Sequence, residues 1–341
     1  MASPAVTVLM PVYNGARFLA EAVSSVLNQT FRDFELLAIN DGSSDSSPEI
    51  LASFHDPRIR IIDNGRNLGI IATLNKGLDL ARSEYVARMD ADDACYPNRL
   101  AVQISFMRSR PEVGAAGAWY RPIGKVLSRA VRLPTSYDEI CAWMPFHCPI
   151  AHPTVILRRK SFVDNGLSYD PGFPHAEDYD LWSRASRVMR LANVARVLLR
   201  YRAHGEQITS RHAGAQFNSA KLVRGRELAR LLPEVVPAEI EFHHQILTSA
   251  FERDPVTLSR IETWLLRLER ENQRTGIFPR ELFGRAIGKV WLSASLDCMP
   301  QFWAYSLFVR SPLTGLLGHR AAIVAGFGAR ALKRFVSGNA T

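Results

Sequence analysis

Three carboxylates fall within four residues at Asp90-Ala91-Asp92-Asp93, directly after the apolar run Tyr85-Val-Ala-Arg-Met89. Acids are seldom left bunched at a strand end unless a cation or several donors neutralise them. Alternate residues of an extended chain share a side, so Asp90 and Asp92 can face one ligand. A hard divalent ion that keeps its waters and shares phosphate oxygens with one or two carboxylates suits that arrangement. The competing reading is a solvated turn or a helix cap. A second acidic pair, Glu177-Asp178, stands at the start of a helical pattern over 179–188. It could act as a general base or simply complement the helix N-terminus. His152, before Pro153, reads as structural or as lining of a cleft, and His204 follows Tyr201-Arg-Ala in a loop.

The elements that must position these groups alternate strand and helix. Val6–Val12 is a continuous apolar strand, as a parallel sheet covered on both faces requires. Arg17–Gln29 carries a helical stripe through Leu19, Ala22, Val23 and Val26. Phe34–Ile39 forms the next strand and runs into the turn cluster Asn40-Asp-Gly-Ser-Ser-Asp45. Ile59–Ile62 is a third strand, followed by a helix with Ile71, Leu74 and Leu78 on one face, and then by the strand Tyr85–Met89. Pro97 opens another helix with Leu100, Ile104 and Met107 inward. This order predicts an α/β fold with an open, mostly parallel, Rossmann-like sheet flanked by helices. Ligands of such sheets bind beyond the carboxyl ends of the strands. Tyr13-Asn14, Asp41 and Asp90–Asp92 all fall there. Pro11-Val12-Tyr13-Asn-Gly15 stands where a dinucleotide fold would carry Gly-x-Gly-x-x-Gly, which argues against hydride transfer. Residues 119–150 read as an irregular excursion or lid, His152–Arg159 as a return to strand, and Asn193–Tyr201 as one more strand. Helical periodicity dominates from Ala213, which gives regions 1–212 and 213–341.

A composition of 47% hydrophobic and 22% charged residues is that of a globular protein and excludes a disordered one. Four cysteines without metal-type spacing read as reduced, buried thiols, with Cys141–Cys148 the one disulfide to consider. The N-terminus lacks the basic flank of a secretory leader, and no run reaches the roughly 18 apolar residues of a membrane span. A cytoplasmic location is expected. Most of the net charge of +9 lies in 282–341, where seven basic residues face the single acid Asp297. Trp291, Phe302, Trp303, Tyr305 and Phe308 interleave with them. Such a segment suits peripheral contact with an anionic membrane face, or a helical subdomain with an aromatic core. Nucleic-acid binding is not indicated, because no basic stacking module is visible.

The chain resembles the family 2 glycosyltransferases of the GT-A fold. The resemblance runs through Val8-Leu-Met-Pro-Val-Tyr-Asn14, Val26-Leu-Asn-Gln-Thr-Phe31, Ile39-Asn-Asp-Gly-Ser-Ser-Asp45, Asn67-Leu-Gly69, Met89-Asp-Ala-Asp-Asp93, Ala176-Glu-Asp-Tyr-Asp-Leu-Trp182 and Tyr201-Arg-Ala-His204, in that order. It covers about residues 5–212 and carries no implication for the region beyond Ala213. It implies sugar transfer from a nucleotide-diphosphate donor, UDP favoured, to a glycan or lipid-linked acceptor, by displacement with inversion and with Mg2+ or Mn2+. Asp92 would hold the metal, with Asp90 on the ribose or the metal's waters and His204 reaching the metal or diphosphate. Asp93 would be structural. Pro11, Val12, Tyr13, Asp41, Asn67, Gly69 and Ala91 would frame the nucleotide, Asp41 accepting a ring N–H of uracil. Asp178 would be the base, with Glu177 the alternative. Arg158, Arg159 and Arg202 are candidate diphosphate partners. The leaving group is already a good anion, so one base suffices, unlike the two carboxylates of glycoside hydrolysis. Polysaccharide synthesis for the cell envelope fits these features. The competing functions are a nucleotidyltransferase, which would want a Gly-rich basic phosphate loop after the first strand, a metal-dependent phosphatase, and a sugar-nucleotide or membrane adaptor without turnover.

Overall fold

The computed structural model describes residues 3–124, 129–203, 213–299 and 301–318, with 324 and 326. Two compact units form: residues 1–140 with 148–220, and residues 141–147 with 221–341.

The first unit is built on an eight-stranded sheet. Its strands are β1 (Val6–Val12), β2 (Phe34–Asn40), β3 (Ile59–Asp63), β4 (Tyr85–Arg88), β5 (Ala94–Cys95), β6 (Val113–Gly124), β7 (Ile156–Arg158) and β8 (Arg190–Ala203). Their spatial order is β3-β2-β1-β4-β7-β6-β8-β5. The first four are mutually parallel, β7 is antiparallel to both β4 and β6, and β6 and β8 run parallel. Helices α1 (Ala16–Leu27), α2 (Ser47–Ala52), α3 (Ile70–Leu80), α4 (Arg99–Arg108), α5 (Tyr137–Trp143, whose last three residues belong to the second unit), α6 (Arg159–Asp164) and α7 (Glu177–Ala185) accompany them. The stripe of α1 buries Leu19, Ala22, Val23 and Val26 on β1 and β2, whose residues alternate into the same core. Burying a Leu or Val side chain contributes roughly 1.5–3 kcal/mol, so this layer fixes the sheet edge on which the loops sit.

The expected excursion at 119–150 is corrected in its first part, because β6 continues to Gly124. Pro122 disguised it. Beyond Ala116 no residue of β6 pairs with β7, so the missing N–H of Pro122 costs no ladder bond on that side. The strand expected from His152 is also shorter: His152–Thr154 forms a 3-10 turn and only Ile156–Arg158 pairs. All four cysteines are free.

The second unit contains α8 from Lys221 onward (the whole helix is Ala213–Leu231), α9 (Pro237–Leu247), α10 (Pro255–Thr275), α11 (Arg280–Asp297) and α12 (Phe302–Arg310). Of the C-terminal aromatics, Trp291 and Phe308 are core, stacked in parallel, whereas Phe302 is 80% exposed. Among the described residues no helix is long and apolar enough to cross a membrane.

Candidate active site

Three parallel strands deliver polar loops to one edge of the sheet. After β1 the chain turns through Tyr13 and Asn14, the latter left-handed at φ 49°. After β2 it turns through Asp41 and Gly42. The two loops are laced together. The Asn14 amide donates to Ser43 Oγ (3.0 Å), the Ser44 amide to Asn14 Oδ1 (2.8 Å), the Gly15 amide to Ser47 Oγ (3.0 Å) and the Ala16 amide to Asp45 Oδ2 (2.9 Å). Pro11 and Val12 are buried beneath, while Tyr13 keeps 52% of its surface exposed.

Asp41 is only 4% exposed. Its Oδ1 accepts from Asn64 Nδ2 and the Leu68 amide, both at 2.8 Å, and its Oδ2 from the Gly69 amide at 2.9 Å. Asn67, exposed, also accepts from the Gly69 amide through Oδ1 (2.9 Å). Asp41 therefore shapes the loop that enters α3. Gly42, at φ 68°, lies so close to that loop that a Cβ would sit 2.4 Å from the Arg66 carbonyl carbon. Only glycine fits there.

The third loop follows β4. A Cβ on Gly15 would lie 3.4 Å from Ala91 Cβ, so the acidic turn sits beside the β1 loop. Carboxylate oxygens of Asp90, Asp92 and Asp93 lie within 4.8 Å of one another. Asp90 and Asp92 are half-buried and Asp93 is buried. Each has a scaffold. Arg88 Nη1 donates to Asp90 Oδ2. The Arg202 amide donates to Asp93 Oδ1 (2.8 Å), and its Nε to the Asp92 carbonyl (2.8 Å). Arg202 itself is held by Glu21 and by the Phe18 ring at 4.3 Å. Burial, with Asp90 and Asp92 alongside, pushes the Asp93 carboxyl well up. A set of hard oxygen ligands on a half-open turn fits a divalent cation.

Glu177 and Asp178 open α7. Asp178 Oδ1 accepts from the Tyr179 amide (2.7 Å), and the Cys148 thiol lies 3.9 Å from its Oδ2. Burial and the neighbouring Asp178 push Glu177 up to about 7, and burial raises Asp178 as well. His152 is buried, Nε2 2.8 Å from the Tyr169 hydroxyl, and burial holds its ring well below its usual range. His204 lies outside the described residues.

The three arginines named as candidate diphosphate partners make contacts within the protein. Arg158 pairs with Tyr85 at the amino end of β4, remote from the carboxyl edge, and binds Glu84 and the Met107 carbonyl. Arg159 binds the Leu78 carbonyl, and Arg202 braces the acidic turn from behind. Arg88 and Arg99 escaped the sequence reading. Arg99 is buried, Nη2 donating to the Arg88 carbonyl (2.6 Å) and Nε to Gln103 (3.0 Å). The available signal was an arginine inside an otherwise apolar strand run, which must have a buried partner.

Sheet order, loop edge and acidic turn suit an anionic ligand held with a divalent cation, and the comparisons give the family. Residues 7–167 match the family model Glycosyl transferase family 2. An uncharacterized glycosyltransferase of Haemophilus influenzae is 33% identical over 244 residues, covering 68% of this chain and 76% of that protein. The amylovoran biosynthesis glycosyltransferase AmsE of Erwinia amylovora is 33% identical over 213 residues, covering 60% of this chain and 79% of AmsE. Among solved structures, S. aureus TarS 1-349 in complex with UDP-GlcNAc superposes with a TM-score of 0.58 at 17% identity, over 98% of this chain and 92% of that one. The chain belongs to glycosyltransferase family 2.

Proposed function

We propose that this glycosyltransferase moves a hexosyl group from a UDP-sugar to a hydroxyl of a glycan or lipid-linked acceptor, with inversion, and that transfer resides in the first unit. The observation that carries the proposal is the convergence of the β1, β2 and β4 loops on one edge, with three carboxylates clustered in the last. The relative named for amylovoran biosynthesis supports a role in building a glycan.

Asp92 would hold Mg2+ or Mn2+, with Asp90 contributing the oxygen not bonded to Arg88 and His204 the expected further ligand. Such an ion supplies charge neutralisation for the departing diphosphate. The Pro11–Tyr13 backbone and the Tyr13 ring frame the base, with Asn67, Gly69 and Ala91 along the nucleotide. A uracil ring N–H would share Asp41 Oδ2, which carries one protein bond against two on Oδ1. Asp178 takes the acceptor proton as the hydroxyl attacks the anomeric carbon, and the bond to the diphosphate breaks on the opposite face. Glu177, raised to about 7, is the alternative base. Peripheral contact with a cytoplasmic membrane face would be made by exposed Phe302, and Phe302→Ser should weaken cosedimentation with anionic vesicles.

The test is thermal stability with UDP, TDP, GDP and ADP, with and without Mn2+, on wild type and Asp92→Asn. A nucleotide at a hundred times its dissociation constant adds roughly 2.7 kcal/mol. A Mn2+-dependent shift with UDP, lost in the variant, is expected. No shift with any nucleotide would defeat the donor assignment, and binding without release of nucleotide from any donor sugar would favour the adaptor.

A further inference from the structure

Tyr120 on β6 and Tyr201 on β8 bring their ring centroids within 5.4 Å of each other, with the planes tilted by 56°. Both are half-buried and pack against the core of the first unit. Among the described residues neither hydroxyl has a hydrogen-bond partner, and neither is closed off from solvent. The neighbours of Tyr201 tie it to the acidic turn. Arg200 pairs with Ala94, while the Arg202 amide donates to Asp93 Oδ1 (2.8 Å) and its Nε to the Asp92 carbonyl (2.8 Å). The residue between these two anchors is held beside the carboxylates.

Strand sense puts the pair toward the same edge as the nucleotide loops. β7 is antiparallel to both β4 and β6, and β8 is parallel to β6, so β4, β6 and β8 all run one way. In the order of the sheet, β6 and β8 lie on the far side of β4 from β1 and β2. A donor with its base on the β1 and β2 loops and its diphosphate on the acidic turn would extend its sugar in that direction. Arg200 and Arg202 are both paired with Glu21, so the tyrosines present an uncharged surface there. Such a surface suits a neutral ring better than a further phosphate. A pyranose carries C–H groups on its faces and hydroxyls round its rim, and a tyrosine offers an apolar face with a polar tip.

We propose that the Tyr120–Tyr201 pair receives the hexosyl ring of the donor and sets which epimer is accepted, an inference that rests on reading the acidic turn as the diphosphate site. The ring faces supply the affinity common to hexoses, and the two open hydroxyls read the orientation of the sugar's own. A site built to bond a substrate hydroxyl discriminates against a sugar that leaves its polar groups unpaired.

The experiment is calorimetric titration in the presence of Mn2+ with UDP, UDP-glucose, UDP-galactose and UDP-N-acetylglucosamine. The proteins are wild type, Tyr120→Leu, Tyr201→Leu and Tyr201→Phe. In Y120L and Y201L the affinity for the sugar nucleotides should fall by roughly 2–10-fold relative to UDP, whose own affinity stays unchanged. Y201F should keep most of that ratio and narrow the gap between the glucose and galactose epimers. Equal losses for UDP and the sugar nucleotides, or ratios unmoved in every variant, would overturn the role. Should the leucine variants fail to fold, Y201F and Tyr120→Phe carry the test: a narrowed epimer gap supports the role, and an unmoved gap overturns it. Wild type that binds no UDP with Mn2+ sinks the diphosphate reading and the pair's role with it. UDP binding with unmoved ratios sinks the role of the pair alone.

Discussion

The two units bury titratable groups of opposite character. In the first, Asp90 and Asp93 lie in the turn after β4 and Glu177 and Asp178 open α7, and burial raises all four. In the second, His147, His243 and His244 are packed among helices, and burial holds them at about 4, 3 and 4. His243 shows how the second unit solves its problem. Trp264 Nε1 can only donate, so it fixes His243 Nδ1 as acceptor (3.0 Å) and leaves Nε2–H for the Pro145 carbonyl (3.0 Å). That ring is neutral and fully bonded. The carboxylates of the first unit are instead stacked against one another, with Arg88 and Arg202 as partial compensation. Packing alone would not assemble like charges in this way. A ligand that brings positive charge would.

The largest expected effect sharpens the division of labour within the first unit. Asp178→Asn should lower turnover by about 10²–10⁴-fold with little change in donor KM, the range for losing a general base. Glu177→Gln should cost far less. A greater loss in E177Q than in D178N, measured as nucleotide release in the presence of acceptor, would exchange the two assignments.

Next in size is a pH contrast between the units. Raised carboxyls stabilise below their unfolded values and lose that contribution as pH rises, for Glu177 from 4.5 to about 7. Depressed histidines do the reverse: their contribution is full above 6.5 and is lost as pH falls toward 3–4. Calorimetry from about pH 5 to about pH 7 should therefore show the unit bearing the carboxylates losing stability as the other gains it. His152 opposes the trend in the first unit, because burial holds its ring neutral. Mn2+ should abolish the slope of the first unit only. Parallel slopes would break the comparison.

A smaller effect tests the scaffold role of Asp41 apart from its proposed contact with the base. Asp41→Asn keeps one oxygen where three N–H groups now converge, so it should cost about 1.5–3 kcal/mol without any nucleotide present. Urea unfolding of the apo-protein measures it. An unchanged midpoint would mean that the 64–69 loop holds its shape without the carboxylate.

Much of this arrangement was legible in the residues. The strands β1 to β4 are apolar runs closed by turn residues, and the acids at their ends needed only the rule that ligands gather at carboxyl edges. The mixed half of the sheet was less so. Pro122 hid the far end of β6, and β7 is three residues long, too short for a period to emerge. Arg88 was hidden differently. Its partner Asp90 stands two residues on, and nothing in the apolar run itself says that the guanidinium is withdrawn from solvent. Arg202 is a candidate diphosphate partner by its position in the motif, whereas its hold on the Asp92 carbonyl is a matter of tertiary placement.

The smallest effect concerns the basic surplus of the second unit. Arg285 and Glu281 pair across one turn of α11, with about half of the arginine side chain and more of the glutamate in solvent. Exposed pairs of this spacing contribute about 0.3–0.5 kcal/mol, because water screens the attraction and two long side chains must be ordered. Arg285→Ala should therefore move the urea midpoint barely at all, and less still at high salt. Loss of several times that amount would mean that surface charge, and not the neutral histidine and aromatic core, holds the second unit together. The contrast between a charged site in one unit and a neutral core in the other would then fail.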